Sequence, residues 1–266
     1  MESILSNEGL IRLSVFAGVL IGMMVLEALL PRRRRELGRG VRWTSNLGIV
    51  VVDTIVARLL IPLPPVAAAL WASENGVGVL HGIDLPMPLI IAGCVIFLDF
   101  AIYVQHVIFH KVPIFWRLHR MHHADTEIDV TTGIRFHPIE IILSLMIKIA
   151  IVLAFGIPAV AVIIFEVILN ASAMFNHANM RLPLGVDRIL RFVIVTPDMH
   201  RIHHSWHPDE TDSNYGFSLS IWDRLFMTYR EQPRDGHDGM TIGLKSFRDE
   251  KDRGIIGLLM IPFRQN

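Results

Sequence analysis

Thirteen histidines stand in this sequence, and eleven of them fall between His106 and His207. Their spacing repeats. His106 and His110 are four apart, and His119, His122 and His123 stand at i, i+3 and i+4. The same H-x-x-H-H pattern returns at His200, His203 and His204. On a helix these separations put side chains on one face, and imidazoles one turn apart are a common way for a helix to hold a metal ion. His137, followed by Pro138 and Glu140, and His177, in Phe175-Asn176-His177, are further candidate ligands. His81, His207 and His237 read as ordinary loop or hydrogen-bonded histidines.

Counting donors sets the number of ions. A single zinc or iron takes about four to six donors, so eight to ten imidazoles suit two ions. Imidazole accepts zinc, copper, iron or nickel and does not name the metal. Two divalent ions among neutral imidazoles bring four positive charges to be offset. Asp99, Glu140 and Asp198 are the carboxylates placed to offset them, or to orient an imidazole from behind. The single cysteine, Cys94, lies inside an apolar run, which excludes a disulfide framework, a thiolate zinc site and a Cys-ligated iron–sulfur cluster within one chain.

The elements that must carry these residues are membrane helices. Hydrophobic residues make up 52% of the chain and the mean hydropathy is +0.46, high for a water-soluble domain. With 25 basic and 25 acidic residues, no net field favours nucleic acid. The first apolar run, 9–30, is long enough to cross a bilayer, which takes ~20 residues. Glu2 and Glu8 precede it and Pro31 with Arg32 to Arg35 follow it, so a retained helix is expected rather than a cleaved signal. The four arginines mark the cytoplasmic side, placing the N-terminus outside and residues 31–45 inside. A second run, 46–70, contains Asp53 and Arg58 and is broken by Pro62, Pro64 and Pro65. The loop 71–87 has no Lys or Arg and is expected outside.

The third run, 88–110, returns inward. Asp99, Tyr103, His106 and His110 fall on a stripe about 60° wide, which must face a protein interior or a cavity. Residues 111–138 are basic and cytoplasmic by the same rule. The stretch 139–175 is broken at Gly156-Ile157-Pro158 and reads as a hairpin of two segments, 139–155 and 158–175. Each is short for a full crossing, so the pair is a candidate for dipping in and returning. Beyond 176 the chain carries twelve Lys or Arg, and two short apolar runs, Leu190–Val195 and Ile255–Phe263, suit the membrane interface. All the clustered histidines then end on one side.

The fold class expected is all-α: a single domain, an integral membrane bundle of about four transmembrane or re-entrant helices besides the N-terminal span, under a cytosolic histidine-rich helical cap. Residues 1–89 form the N-terminal membrane helices, 90–230 the histidine-motif region and 231–266 a C-terminal cytosolic tail.

Over roughly residues 90–230 the chain resembles the membrane fatty acid hydroxylase/sterol desaturase superfamily. The resemblance rests on Asp99-x-x-x-Tyr103-x-x-His106-x-x-x-His110, Leu118-His119-Arg120-Met121-His122-His123, Phe136-His137-Pro138-Ile139-Glu140 and Phe175-Asn176-His177. It continues through Thr196-Pro197-Asp198-Met199-His200-Arg201-Ile202-His203-His204-Ser205, Asn214-Tyr215-Gly216 and Ile221-Trp222-Asp223-Arg224-Leu225-Phe226-x-Thr228-Tyr229. It implies two iron ions as cofactor and O2 as co-substrate, and a two-electron hydroxylation or desaturation of a lipid C–H bond. Two positions depart from the pattern. Ala173 stands where some relatives carry another histidine, a ligand His137 would replace, and Met227 stands where Gly is frequent.

The chemistry agrees with the resemblance. An unactivated C–H bond is beyond acid–base catalysis, so a cofactor must carry the step. No Cys cluster, dinucleotide-binding glycine motif or His-Pro-Gly-Gly haem motif is present. Electrons are therefore expected from an external reductase, ferredoxin or cytochrome b-type carrier, with a membrane lipid as substrate and no nucleic acid. The rival classes are a histidine-ligated zinc hydrolase of the membrane and a metal transporter; the latter would spread its ligands over several membrane depths.

Overall fold

The computed structural model describes residues 7–265, and Glu2, invoked above, lies outside them. Thirteen α-helices and four short 3-10 turns account for the regular structure of the described residues, which contain no β-strand. The long helices are α1 (Glu8–Leu29), α2 (Arg39–Leu60), α3 (Pro65–Glu74), α4 (Met87–Lys111), α6 (Pro138–Phe155) and α7 (Ala159–His177). Five stretches are long and apolar enough to cross a membrane, the second of them the α2–α3 region Arg39–Gly82. The protein is an integral membrane protein. The cap is built from α5 (Pro113–His123), α8 (Leu184–Leu190), α9 (Pro197–His203), α10 (Pro208–Thr211), α11 (Ile221–Leu225), α12 (Gly236–Gly239) and α13 (Ile255–Met260).

Prolines set many of the starts. α3, α5, α6, α9 and α10 each have Pro as their first residue, where the missing N–H costs nothing and φ is already helical. The break between α2 and α3 falls at the expected prolines, although α2 begins seven residues earlier than the apolar run alone suggests. The hairpin between α6 and α7 turns at Gly156, whose φ is +67°. A Cβ there would stand 2.7 Å from the Val77 carbonyl oxygen, so glycine serves both the left-handed turn and the close approach.

Packing pairs α1 with α7, α2 with α6, and α4 with both α5 and α7. At the end of the bundle remote from the histidines, Val66, Ala69, Leu98, Val152, Ala161 and Phe165 form an apolar core among α3, α4, α6 and α7. Near mid-bundle, Glu166 accepts from Lys148 at 2.8 Å and lies 3.0 Å from Arg12, joining α1, α6 and α7 by charge. At the histidine end the buried Arg42 of α2 meets Asp125 at 2.7 and 2.9 Å and Asp129 at 2.9 Å. That network ties α2 to the loop following α5. The expected C-terminal tail folds back onto the cap: Leu258 and Ile261 pack with Ile49 and Met121, and Arg117 donates to the Pro262 carbonyl at 2.8 Å. Ile256 and Phe263 stay exposed, so only one face of the run Ile255–Phe263 is left for a membrane surface.

Candidate metal centre

Nine histidines converge in two groups. His106, His110, His119, His123 and His203 form one; His122, His177, His200 and His204 form the other. Within each group the candidate ligand atoms lie within 4.8 Å of one another, and all nine side chains are buried. The groups are neighbours: the rings of His123 and His204 stack at 4.4 Å.

The division runs across the sequence motifs. In a helix, i and i+4 are ~40° apart, whereas i+3 lies ~60° to the other side. His119 and His123 accordingly enter the first group and His122 the second. His200 and His204 enter the second group and His203 the first. Each H-x-x-H-H motif gives its i,i+4 pair to one group and its i+3 residue to the other. α4 adds the i,i+4 pair His106 and His110 to the first group, and the last residue of α7, His177, completes the second.

Hydrogen bonds behind the rings assign the tautomers. Nδ1 of His106 faces the Tyr215 carbonyl at 2.7 Å and Nδ1 of His203 the Ser213 carbonyl at 2.8 Å. Nδ1 of His119 faces Glu140 Oε1 at 2.7 Å. Each partner is an acceptor, so Nδ1 carries the proton and Nε2 presents a lone pair. Those three Nε2 atoms are buried without a hydrogen-bond partner. In the second group, His177 Nδ1 donates to the Ala173 carbonyl at 2.6 Å and His122 Nδ1 to the Arg135 carbonyl at 3.2 Å. Their Nε2 atoms then face each other at 3.0 Å with no proton between them. The Nε2 atoms of His200 and His204 stand 3.1 and 3.2 Å from that of His177, so four ring nitrogens converge on one point in a dry interior, an arrangement a cation would satisfy. The residues therefore fit a pair of metal ions held by neutral imidazoles.

Electrostatics agree. Burial among other imidazoles pushes His122, His123, His200 and His204 well below the ordinary histidine range, and His203 down to about 3. These rings are thus held in the uncharged form that binding a metal would need. The C-terminal ends of α4, α5, α7 and α9 all carry these histidines. A helix C-terminus bears about half a negative charge, so four of them would offset cations held at this centre.

The carboxylates are used differently from the sequence expectation. Glu140 bonds Nδ1 of His119 at 2.7 Å and fixes that ring. Asp99 touches no imidazole: it accepts from the Ser218 and Leu219 N–H groups at 3.2 Å each and from the Trp222 indole at 2.8 Å. Asp198 is also displaced from the ligands, because Arg32 and Arg201 take its oxygens. Asp212, which the sequence did not single out, lies 3.5 Å from His110 Nδ1. Asp125 lies two residues beyond the end of α5. Burial alone would raise its carboxyl, but Arg42 and Arg135 hold it well below the carboxylate range.

His137 must be corrected. Its Nδ1 accepts from the Ile139 N–H at 3.2 Å, capping α6, and its Nε2 faces the Leu259 carbonyl at 3.3 Å. With both nitrogens taken by backbone, it is not brought to either group. His177 does join. Residue 173 contributes only its backbone: the Ala173 carbonyl accepts from His177 Nδ1, and Gly133 packs so close to that carbonyl that a Cβ there would lie 2.4 Å from its oxygen. His207 pairs with Asp235 at 2.8 Å, His237 lies 3.7 Å from Asp198, and His81 is exposed, so all three stay outside the centre.

An apolar groove of ≈ 390 Å³ runs between α4 and α6, lined by Ala101, Val104, Ile108, Leu143 and Ile147 among others. These α4 residues face away from the Asp99–His110 stripe. The groove nears the centre only at Phe109, which stacks on Phe115 and whose ring is 6.2 Å from that of His119.

Comparison with known proteins places this geometry. Residues 91–228 match the family described as fatty acid hydroxylase. The chain is 32% identical over 152 residues to alkylglycerol monooxygenase of Xenopus tropicalis, a match covering 56% of this chain and 32% of that protein. It is 28% identical over 149 residues to ornithine lipid hydroxylase OlsE of Rhizobium tropici, covering 56% and 44%. A cholesterol 25-hydroxylase-like protein of Danio rerio is 25% identical over 230 residues, covering 82% and 88%. The chain thus spans less than half the length of the first two relatives. No solved structure matches.

Proposed function

The chain belongs to the fatty acid hydroxylase family, and from that membership we propose that it is an O2-dependent lipid C–H hydroxylase or desaturase. It would work through two histidine-held iron ions at the cytosolic face of a membrane. In the hydroxylation, one oxygen atom enters the C–H bond and the other leaves as water, with two electrons and two protons drawn from an external donor. The relatives named for lipid hydroxylation support the reaction class.

The observation that carries the reading is the pair of adjoining imidazole groups with inward lone pairs. His106, His110, His119, His123 and His203 would hold one ion, and His122, His177, His200 and His204 the other. Iron bound there supplies the O2 activation that an unactivated C–H bond demands. Glu140 and the Tyr215 and Ser213 carbonyls keep the Nδ1 protons in place, so Nε2 stays directed inward. Burial of all nine rings excludes water from the reacting centre. Arg32 to Arg35, at the foot of α1, support a cytosolic orientation. The groove along α4 is almost wholly apolar, which supports a hydrocarbon chain as the group presented at Phe109.

The test is purification from membranes, followed by metal analysis and O2 uptake with a supplied reductant and membrane lipid extract. Iron near two per chain, with heavy oxygen from labelled O2 appearing in a lipid product, is the expected result. Zinc at both sites with no O2 uptake would support the hydrolase reading instead, and metal uptake into vesicles would support the transporter.

A further inference from the structure

Asp99 is the middle residue of α4, with twelve residues on either side of it. At ~1.5 Å rise per residue it lies about 18 Å from the Lys111 end. The helix is about 37 Å long against a hydrocarbon core of ~30 Å, so even with all the excess beyond that end Asp99 lies about 10 Å inside the core. Yet its carboxylate holds two backbone N–H groups and the indole of the segment 218–222. Tyr103, one turn nearer the histidines, meets Thr228 at 3.0 Å, and Phe226 stacks on Phe100 and Tyr103 at 5.8 and 5.5 Å. The segment that follows the histidine motifs therefore runs down the side of a spanning helix.

Its outward face is apolar. Ile221, Leu225 and Phe226 are exposed, and Met227 is 91% exposed. Met227 also adopts φ +58°, the left-handed region that glycine enters freely and methionine does not. A large apolar side chain held in a strained conformation and pointed at water has no rationale in an aqueous cap. Facing acyl chains, it does. The end of α8 and the turn after it continue the surface: Ile189 and Phe192 are exposed, and Ser220 bonds the carbonyls of Arg191 and Val193. The cation beneath is shielded, since Arg224 stacks between Phe192 and Tyr229.

We propose that residues 221–227 form a wedge embedded among the lipid acyl chains of the leaflet on the histidine side, continuous with the lipid-facing surface of α4. The wedge makes the polar Asp99 tolerable in a spanning helix, by covering it from the bilayer side. This inference needs α4 to span the membrane and is independent of the reaction proposed above.

The experiment reads depth without turnover. In a Cys94→Ser background, Met227→Cys carries a bimane fluorophore in phosphatidylcholine vesicles, with Lys251→Cys as the water-exposed reference. Quenching by acyl-chain nitroxide lipids together with loss of iodide quenching at 227, but not at 251, is the expected result. Iodide quenching equal at the two positions, or quenching at 227 by headgroup nitroxides alone, overturns the proposal. Bound metal equal to the parent protein certifies the fold. If Met227→Cys fails that check, Leu225→Cys takes its place with the same two outcomes.

Discussion

Glu140 Oε1 and His119 Nδ1 stand 2.7 Å apart, both nearly sealed from solvent. The carboxylate comes from the first turn of α6 and the imidazole from the last turns of α5, so one hydrogen bond fixes a ligand's ring and joins a membrane hairpin to the cap. Replacing such a partner typically lowers metal affinity by about 10–100-fold. Glu140→Leu should show a loss of that order in competition with a chelator. Glu140→Gln, which keeps an acceptor oxygen, should lose less. Equal affinity in all three proteins would remove Glu140 from the site.

His137 separates capping from ligation. His137→Ala should lower stability by about 1 kcal/mol, the usual worth of an N-cap, and leave bound metal unchanged. His137→Asn should recover most of the stability, since Asn caps well. Loss of an ion from either variant would restore His137 as a ligand.

The crosswise division of the two H-x-x-H-H motifs predicts a pattern of pairs. Combining His122→Ala with His200→Ala should cost one ion, because both belong to one group. Combining His122→Ala with His119→Ala should cost both ions, although those residues are closer in sequence. Metal content of the three single and two double variants decides it; the reverse pattern would mean that each motif serves its own ion.

Asp99→Ala removes the acceptor for two backbone N–H groups and an indole. Each buried donor left unpaired costs about 1–3 kcal/mol, so the segment 218–228 should detach from α4. Limited proteolysis should cleave within it, and Trp222 fluorescence should shift, before global unfolding begins. Protection equal to the parent would show that packing alone holds the segment.

Acid should destabilise the metal-free protein. The five cap histidines noted above are held neutral by burial, with His203 down to about 3, whereas an unfolded imidazole titrates near ~6.5. Below ~6.5 the unfolded chain binds more protons, so stability is flat above that pH and falls as pH drops toward about 3. Asp125, held below the carboxylate range by Arg42 and Arg135, adds to the same acid lability, because its contribution is lost as pH falls below the unfolded carboxylate range. The thermal midpoint of chelator-stripped protein should be level above about pH 7 and fall below about pH 6; a midpoint that rises on acidification would contradict it.

Much of the scaffold was legible because its signals are local. Apolar runs, prolines and the Gly156 turn report helices and their ends without reference to anything distant. The polar stripe on α4 was visible for the same reason, yet its use was split: His106 and His110 face the metal centre, while Asp99 and Tyr103 face the 218–228 segment. Nothing in the sequence separates those two fates, since all four residues share one face of one helix. Arg42 was equally opaque. A basic residue just ahead of an apolar run looks like a flank, and only Asp125 and Asp129 arriving from some eighty residues away make it a buried clamp.

By itself the sequence determined that imidazoles would stand in pairs on helical faces, near one side of a membrane bundle, in numbers suited to two ions. That information resides in the 3.6-residue period of single helices. Which pair from one helix shares a group with which ring from another, that His137 caps instead of ligating, and that Glu140 alone of the three expected carboxylates reaches one of the nine clustered imidazoles were decided by the angles at which α4, α5, α6, α7 and α9 meet. Those angles depend on side-chain packing between segments far apart in the chain, and a spacing along one helix does not record them.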